Sequence, residues 1–365
     1  MSQKMINQNM LRDVNENLPS AYSFVEPETR GSIATQSPRV VFIEVTNHCN
    51  LLCETCPRTF VTYENPQTLS WDNFLFIVEQ FPEMQRAVLH GIGEPLMNRD
   101  LARMIEHLKA LNVTVLFNTN ATLLTDDWAR KLITSDLDEM RVSIDAAKPK
   151  TYAQIRGAPL FNKIVQNLQR FTEIQRELNA DKPRASIWMT GMRENISELP
   201  DLVRLAARVG VREVYLQRMV YYLDNAAPPG LLGEEHALFD DFDSTVDNTL
   251  ADAEKIASEL GIILRASGAT DPRHSLDQAR GNIARPWAEC LRPWSTAYVT
   301  ANGNCLPCCI SPFATQDYES LKMGNLFQQS FTEIWNAEKY RVWRKALLSD
   351  TPSSACRGCG VHWSL

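Results

Sequence analysis

The sequence predicts an α/β domain on a parallel sheet, followed by a small cysteine-rich segment. Six short apolar runs alternate with amphipathic helical patterns over about 180 residues, the mark of repeated strand-helix units. The first run is nearly unbroken in apolar residues, which suits a strand covered on both faces. Of the nine cysteines, six lie in roughly the last 80 residues, where the alternation has ended. Six units fall short of the eight of a closed barrel.

The first strand is Arg39 to Thr46, carrying Val40, Val41, Phe42, Ile43 and Val45. Ser70 is placed to cap a helix whose Trp71, Phe74, Leu75 and Val78 share a face, and Pro82 ends it. Strand two is Ala87 to His90. A helix carrying Leu101, Met104, Ile105 and Leu108 leads to strand three, Val113 to Phe117. A helix from Thr125 precedes strand four, Met140 to Ile144, and a helix over Phe161 to Leu178 precedes strand five, Ala185 to Met189. Leu202, Leu205, Ala206 and Val209 stripe the helix before strand six, Glu213 to Leu216, with Gly210 positioned as that helix's C-terminal cap.

Between Tyr221 and Ala284 the alternation breaks. Pro228-Pro229-Gly230 marks a loop, and Glu234 to Leu260 reads as one long acidic helix striped by Phe239, Phe242, Val246, Leu250 and Ala253. Its Asp240, Asp241, Asp243 and Asp247 read as a solvated face. Further on, Asn302-Gly303 between Tyr298-Val299-Thr300 and Cys305-Leu306 is a strong hairpin signal. A capping box from Ser330 to Glu333 opens a helix carrying Ile334, Trp335, Val342 and Trp343. So small a segment gains folding free energy from a bound metal centre. The resulting division is a polar arm at 1–38, the α/β domain at 39–220, a linker with the acidic helix at 221–284 and the cysteine-rich segment at 285–365.

Composition narrows the classes of function. A chain of 365 residues, 44% hydrophobic, has room for one large domain and a small one. No run approaches the ~18 apolar residues of a membrane span, and residues 1–37 lack the apolar core of a secretory signal. The expected setting is the cytoplasm, with no membrane partner. An odd number of cysteines in metal-type spacings suits a reducing compartment rather than a disulfide framework. A net charge of -7 argues against a nucleic-acid partner.

The chemistry is concentrated in Cys49, Cys53 and Cys56, a C-x3-C-x2-C loop directly after the first strand. It supplies three thiolates and no fourth. A closed structural zinc site wants four protein ligands, whereas a reactive metal centre keeps a coordination position open; thiolates also hold iron-sulfur clusters. On the residues alone, a zinc loop completed by His48 or a distant cysteine stands beside an iron-sulfur site with an open face. The arrangement resembles the signature of the radical S-adenosylmethionine (SAM) enzymes. That resemblance implies that the three cysteines hold three irons of a 4Fe-4S cluster whose fourth iron binds SAM.

Further motifs extend the resemblance. Gly91-Ile92-Gly93-Glu94, after the second strand, is similar to the family's Gly-Gly-Glu motif interrupted by Ile92. Glycines admit a ligand to the backbone, and the resemblance implies that Glu94 meets the amino group of the SAM methionine. Asn118 and Ser143, ending strands three and four, occupy rim positions that in similar proteins reach the ribose and carboxylate of SAM; both read equally as strand-end caps. Gln217, ending strand six, is a further SAM or substrate contact. Thr55 stands where the family often has an aromatic residue, which leaves the adenine contact undefined. Cys290, Gly303-x4-Cys308 and Cys356-x2-Cys359 resemble the SPASM/twitch auxiliary domain. Cys290, Cys308, Cys356 and Cys359 are accordingly expected to hold one auxiliary 4Fe-4S cluster, although four thiolates also suit a zinc ribbon.

The resemblance implies a partial (β/α)6 barrel of TIM type with that domain over its strand ends. It also implies reductive cleavage of SAM to a 5'-deoxyadenosyl radical and abstraction of hydrogen from a substrate C-H bond. Oxidation or epimerisation of a small polyhydroxylated metabolite is the expected outcome. Peptide maturation by the same chemistry and a non-catalytic iron-sulfur or zinc protein are the other readings. The arm before Arg39 is expected to be too short for a leader-peptide-binding domain, which favours the small substrate. Cys305 and Cys309, outside both ligand sets, are candidate hydrogen-atom donors or small buried hydrophobes. A flavodoxin or ferredoxin is the expected electron donor.

Overall fold

Six strands form where the apolar runs stand, because each run feeds one face of a sheet to a layer of helices. The computed structural model describes residues 29–222, 227–238, 244–266, 285–315 and 317–357. The strands are β1 (Val40–Ile43), β2 (Arg86–Leu89), β3 (Thr114–Thr119), β4 (Glu139–Ser143), β5 (Arg184–Gly191) and β6 (Glu213–Arg218). Each pairs in parallel with the next, in a register that sets Val41 against Ala87 and Ala87 against Val115. The outward side chains Val41, Ile43, Val115, Phe117, Val142, Ile187 and Val214 pack into one continuous core with the helices. Inward side chains at alternate positions form a smaller apolar group of Val40, Val88 and Leu116 and, further along the sheet, a polar interior.

Local signals explain the helix boundaries. Ser70 Oγ accepts from Asn73 N at 3.3 Å ahead of the helix Trp71–Glu79, and Thr125 Oγ1 accepts from Trp128 N at 3.3 Å ahead of Asp126–Thr134. Gly210 takes φ +78°, the left-handed cap that ends Leu199–Val209.

Four features differ from the sequence expectation. A seventh parallel strand, β7 (Ile263–Ala266), lies beside β6, and its short mixed run gives little periodic signal. The acidic helix does not run from Glu234. Residues Glu234–His236 form a single 3-10 turn, Ala237 makes an antiparallel bridge to Met192, and the helix spans Ser244–Leu260. The stripe and acid positions at 239–243 lie outside the described residues.

The hairpin forms at Asn302-Gly303 as expected, between β8 (Thr296–Val299) and β9 (Asn304–Leu306). Tertiary pairing then carries it into the main sheet: β8 runs parallel to β1, and β10 (Gly324–Asn325) follows β9, giving the order β10-β9-β8-β1-β2-β3-β4-β5-β6-β7. Finally, the capping box at Ser330 and Glu333 is present, but its helix stops at Trp335 and a second one spans Glu338–Leu347. Asn336 sits at the break. Its side chain binds the backbone of Ala34 in both directions, which ties the end of the polar arm to the C-terminal segment.

Candidate active site

The loops at the carboxyl ends of the strands enclose a cavity of about 320 Å³. Cys49, Cys53 and Cys56 line it after β1, Gly91, Gly93 and Glu94 after β2, Asn118 at the end of β3, Ser143 at the end of β4, and Gln217 at the end of β6. Every SAM-contact residue expected from the sequence therefore faces one space, together with all three cysteines of the loop.

The cysteine loop is held by close backbone packing. A Cβ on Gly93 would stand 2.2 Å from the Thr46 carbonyl oxygen and 2.6 Å from that of His48, so only glycine lets the second loop lie this near the first. Glu94 N donates to His48 O at 2.8 Å across the same contact. Gly157, at φ +71°, brings the end of the helix Pro149–Arg156 against Leu52. From that helix Arg156 ion-pairs with Asp145 at 2.6 Å and points Nη1 at Cys53 Sγ, 3.7 Å away; Asn120 Nδ2 lies 3.9 Å from Cys49 Sγ. Burial pushes the Cys49 thiol up and that of Cys56 to about 12. Thiols so buried ionise readily only against bound metal.

The donor set fits an iron-sulfur cluster. Three thiols of one loop line the cavity, and thiolates are the usual ligands of iron-sulfur clusters. His48, the alternative fourth ligand for zinc, is not among the residues facing the cavity.

Glu94 is 2% exposed and binds three donors: Leu96 N at 3.1 Å, Thr119 Oγ1 at 2.7 Å and Asn120 N at 2.7 Å. Its carboxyl thus fastens the second loop to the third, and burial raises its pKa to about 6. Asn118 Oδ1 is buried with no hydrogen-bond partner in the protein, an orphan acceptor on the cavity wall that fits a ligand donor. His90 also faces the cavity; burial and then Arg141 lower its pKa to about 4, so it is neutral at pH 7.

Sequence reasoning missed the deeper wall. Arg141, Trp188 and Tyr215 project inward from β4, β5 and β6, with the Arg141 guanidinium 4.5 Å from the Trp188 ring and that ring stacked on Tyr215 at 3.9 Å. The signal was present as the polar alternation Glu139, Arg141, Ser143 along β4, which a search for apolar runs passes over. Arg141 is anchored by Glu139 at 2.8 Å.

A second centre lies in the C-terminal segment. Cys290, Cys308 and Cys356 converge on a small recess walled by Trp287, Trp343 and Leu347. Cys359 lies outside the described residues. Of the two spare cysteines, Cys309 faces the main cavity, next in sequence to Cys308 in the recess. Cys305 is fully buried on β9 and is not among the residues facing the cavity.

Comparison with known proteins bears on the family and the fold. The Radical SAM superfamily model matches residues 43–206, and the SPASM model, an iron-sulfur cluster-binding domain, matches 290–360. A tungsten-containing aldehyde ferredoxin oxidoreductase cofactor-modifying protein of Pyrococcus furiosus is 23% identical over 89% of this chain and 88% of its own. An AdoMet-dependent heme synthase of Oleidesulfovibrio alaskensis is 21% identical over 89% of this chain and 80% of its own. The structure of Streptococcus suis SuiB bound to precursor peptide SuiA superposes with a TM-score of 0.65 at 15% identity, covering 99% of this chain and 82% of that one, which is a likeness of fold. The chain is a member of the radical SAM superfamily with a C-terminal SPASM domain, and its cofactors are SAM, the 4Fe-4S cluster that binds it, and auxiliary iron-sulfur.

Proposed function

We propose that this enzyme abstracts hydrogen from a small, polyhydroxylated metabolite and oxidises or epimerises it. In this reading Cys49, Cys53 and Cys56 hold the SAM-binding cluster, and Cys290, Cys308, Cys356 and Cys359 hold one auxiliary 4Fe-4S cluster. Bound together, the first cluster and SAM supply a 5'-deoxyadenosyl radical. Glu94 receives the SAM amino group, Asn118 and Ser143 face the rest of SAM, and Gln217 borders SAM or substrate.

The observation that carries the redox outcome is the Cys308-Cys309 step, with one side chain in the auxiliary recess and the other on the cavity wall. For oxidation, an auxiliary cluster held by Cys290, Cys308, Cys356 and Cys359 would supply an acceptor for one electron of the substrate radical, one proton leaving to solvent; with the abstracted hydrogen, the substrate would lose two electrons and two protons in all. For epimerisation, Cys309 Sγ-H gives its hydrogen atom to the carbon radical from the opposite face. Restoring the Cys309 thiol would take one proton from solvent and one electron, which an auxiliary cluster held by Cys290, Cys308, Cys356 and Cys359 would supply. Cys305 has no such access, so Cys309 is the donor of the two. Arg292, Ile310 and Phe313 from the C-terminal segment border the cavity and keep water from the radical.

A compact substrate is favoured because the cavity of about 320 Å³ has to be shared with SAM. Thr190 and Gln217 on its wall suit hydroxyl groups. Several relatives matched along most of their length are named for a cofactor or for heme, whereas the mycofactocin maturase MftC of Mycolicibacterium smegmatis, at 30% identity, is matched over 41% of its length. The test is anaerobic reconstitution, iron counting and product analysis with dithionite and SAM. About eight irons per chain, with 5'-deoxyadenosine formed by wild type and lost in Cys53→Ala, support the reading. Zinc in place of iron, or no SAM cleavage by fully loaded protein, refutes it.

A further inference from the structure

We infer that Glu44 is a positioning residue that couples the docked C-terminal hairpin to the SAM-binding turn at Gly91–Glu94. The inference rests on the reading of that turn as the SAM methionine site.

Glu44 follows β1 and is 2% exposed. Its side chain joins the turn to two points of the hairpin: Oε2 accepts from Ile92 N at 2.9 Å and from Tyr298 Oη at 3.1 Å, and Oε1 accepts from Ala301 N at 3.3 Å. Ile92 lies inside the SAM-binding turn, Tyr298 on β8, and Ala301 at the hairpin loop. All three donors are neutral. A buried carboxylate served only by neutral donors is costly, and burial raises its pKa to about 7. The joint nevertheless uses an oxygen at both ends of one planar group, which a carboxyl offers and an amide does not.

Gly91 has its shape from the same contact. A Cβ there would lie 2.2 Å from both Cγ and Oε2 of Glu44, so the turn can settle at this depth only around the carboxylate. The hairpin is in turn fixed to the loop that follows the cluster cysteines. Glu64 accepts from Asn302 Nδ2 at 3.0 Å, Asn304 Nδ2 at 2.8 Å and Tyr318 Oη at 2.8 Å. Tyr63 stacks on Tyr318 at 4.4 Å. A displacement of the hairpin therefore reaches Ile92 through one rigid group, and the position of Glu94, two residues on, follows.

The experiment is equilibrium dialysis of radiolabelled SAM against anaerobically reconstituted wild type, Glu44→Gln and Tyr298→Phe, with iron counted on the same samples. Loss of one good acceptor at Glu44 should weaken SAM binding about tenfold, and loss of the tyrosine hydroxyl about threefold. Iron content should stay at the wild-type level in both. KM for SAM should rise by the same factors, while the rate of 5'-deoxyadenosine formation at saturating SAM stays within about twofold. SAM affinity within twofold of wild type in both variants overturns the inference, as does a fall in rate at saturating SAM without a change in affinity. Should Glu44→Gln fail to fold, Tyr298→Phe decides alone. Wild type that holds iron but binds no SAM rejects the proposed function itself, and this inference with it.

Discussion

Replacing Gly93 by alanine should disable the SAM centre while leaving the rest of the fold standing. The added methyl carbon would meet two backbone oxygens, at 2.2 Å and 2.6 Å. An ordinary carbon-oxygen contact is roughly 3.3 Å or more, so the two loops must part by about 1 Å, and neither oxygen belongs to a side chain that could swing away. Parting them stretches the Glu94 N to His48 O hydrogen bond from 2.8 Å, and Cys49 is the next residue along. Overpacking of this kind costs about 1–3 kcal/mol of stability. Catalysis suffers more, because misplacing reactive groups by ~1 Å lowers rates about 100-fold. The assay is 5'-deoxyadenosine formation by chromatography, beside electron paramagnetic resonance spectra of the reduced protein with and without SAM. The expected result is a loss near two orders of magnitude, an absent or weakened SAM-induced spectral change, and auxiliary iron retained. Turnover within threefold of wild type, with the spectral change intact, would refute the packing argument.

Arg156→Gln leaves Asp145 without its cation in a buried site, which should cost about 3–5 kcal/mol in denaturant unfolding and shift the SAM-binding cluster to a more negative potential in a redox titration. Glu44, raised to about 7 from the usual 4.5 by burial, binds its proton more tightly in the folded chain. Its contribution is therefore complete below pH 4.5 and lost as pH rises through 7, amounting to on the order of 3 kcal/mol. Urea melts at pH 5 and pH 8 should show that decline in wild type and a flatter profile in Glu44→Gln; equal profiles would refute it. The titratable groups that face it are Glu64, Tyr298 and Tyr318. Cys356→Ala should keep about four irons per chain and retain SAM cleavage, whereas equal iron loss from both centres would contradict their separation. Cys305→Ser, which places a hydroxyl in the core, should lower stability by about 1–3 kcal/mol with SAM cleavage unchanged, as thermal melts and product counts would show.

What the sequence determined by itself was local. Apolar runs, the Ser70 and Thr125 caps, Gly210 and the Asn302-Gly303 turn act within a few residues, and each element they predict stands near its expected place. The cysteine spacing and the Gly-Ile-Gly-Glu turn were legible for the same reason. Their chemistry is carried by residues close together in the chain.

Tertiary structure decided what depends on remote partners. The inward stack of Arg141, Trp188 and Tyr215 exists only because three strands lie in register, and no one strand announces it. The stretch from Glu234 opens as a 3-10 turn and a bridge from Ala237 to Met192 rather than as a helix, and the C-terminal helix broke where Asn336 bound Ala34. Cys305 and Cys309 are equivalent as letters, yet the turn after β9 sends one to the core and the other to the cavity. Likewise β8 joined the main sheet through parallel pairing with β1, some 250 residues earlier. That pairing brings Tyr298 and Ala301 to Glu44, a residue whose importance is invisible until the two ends of the chain meet.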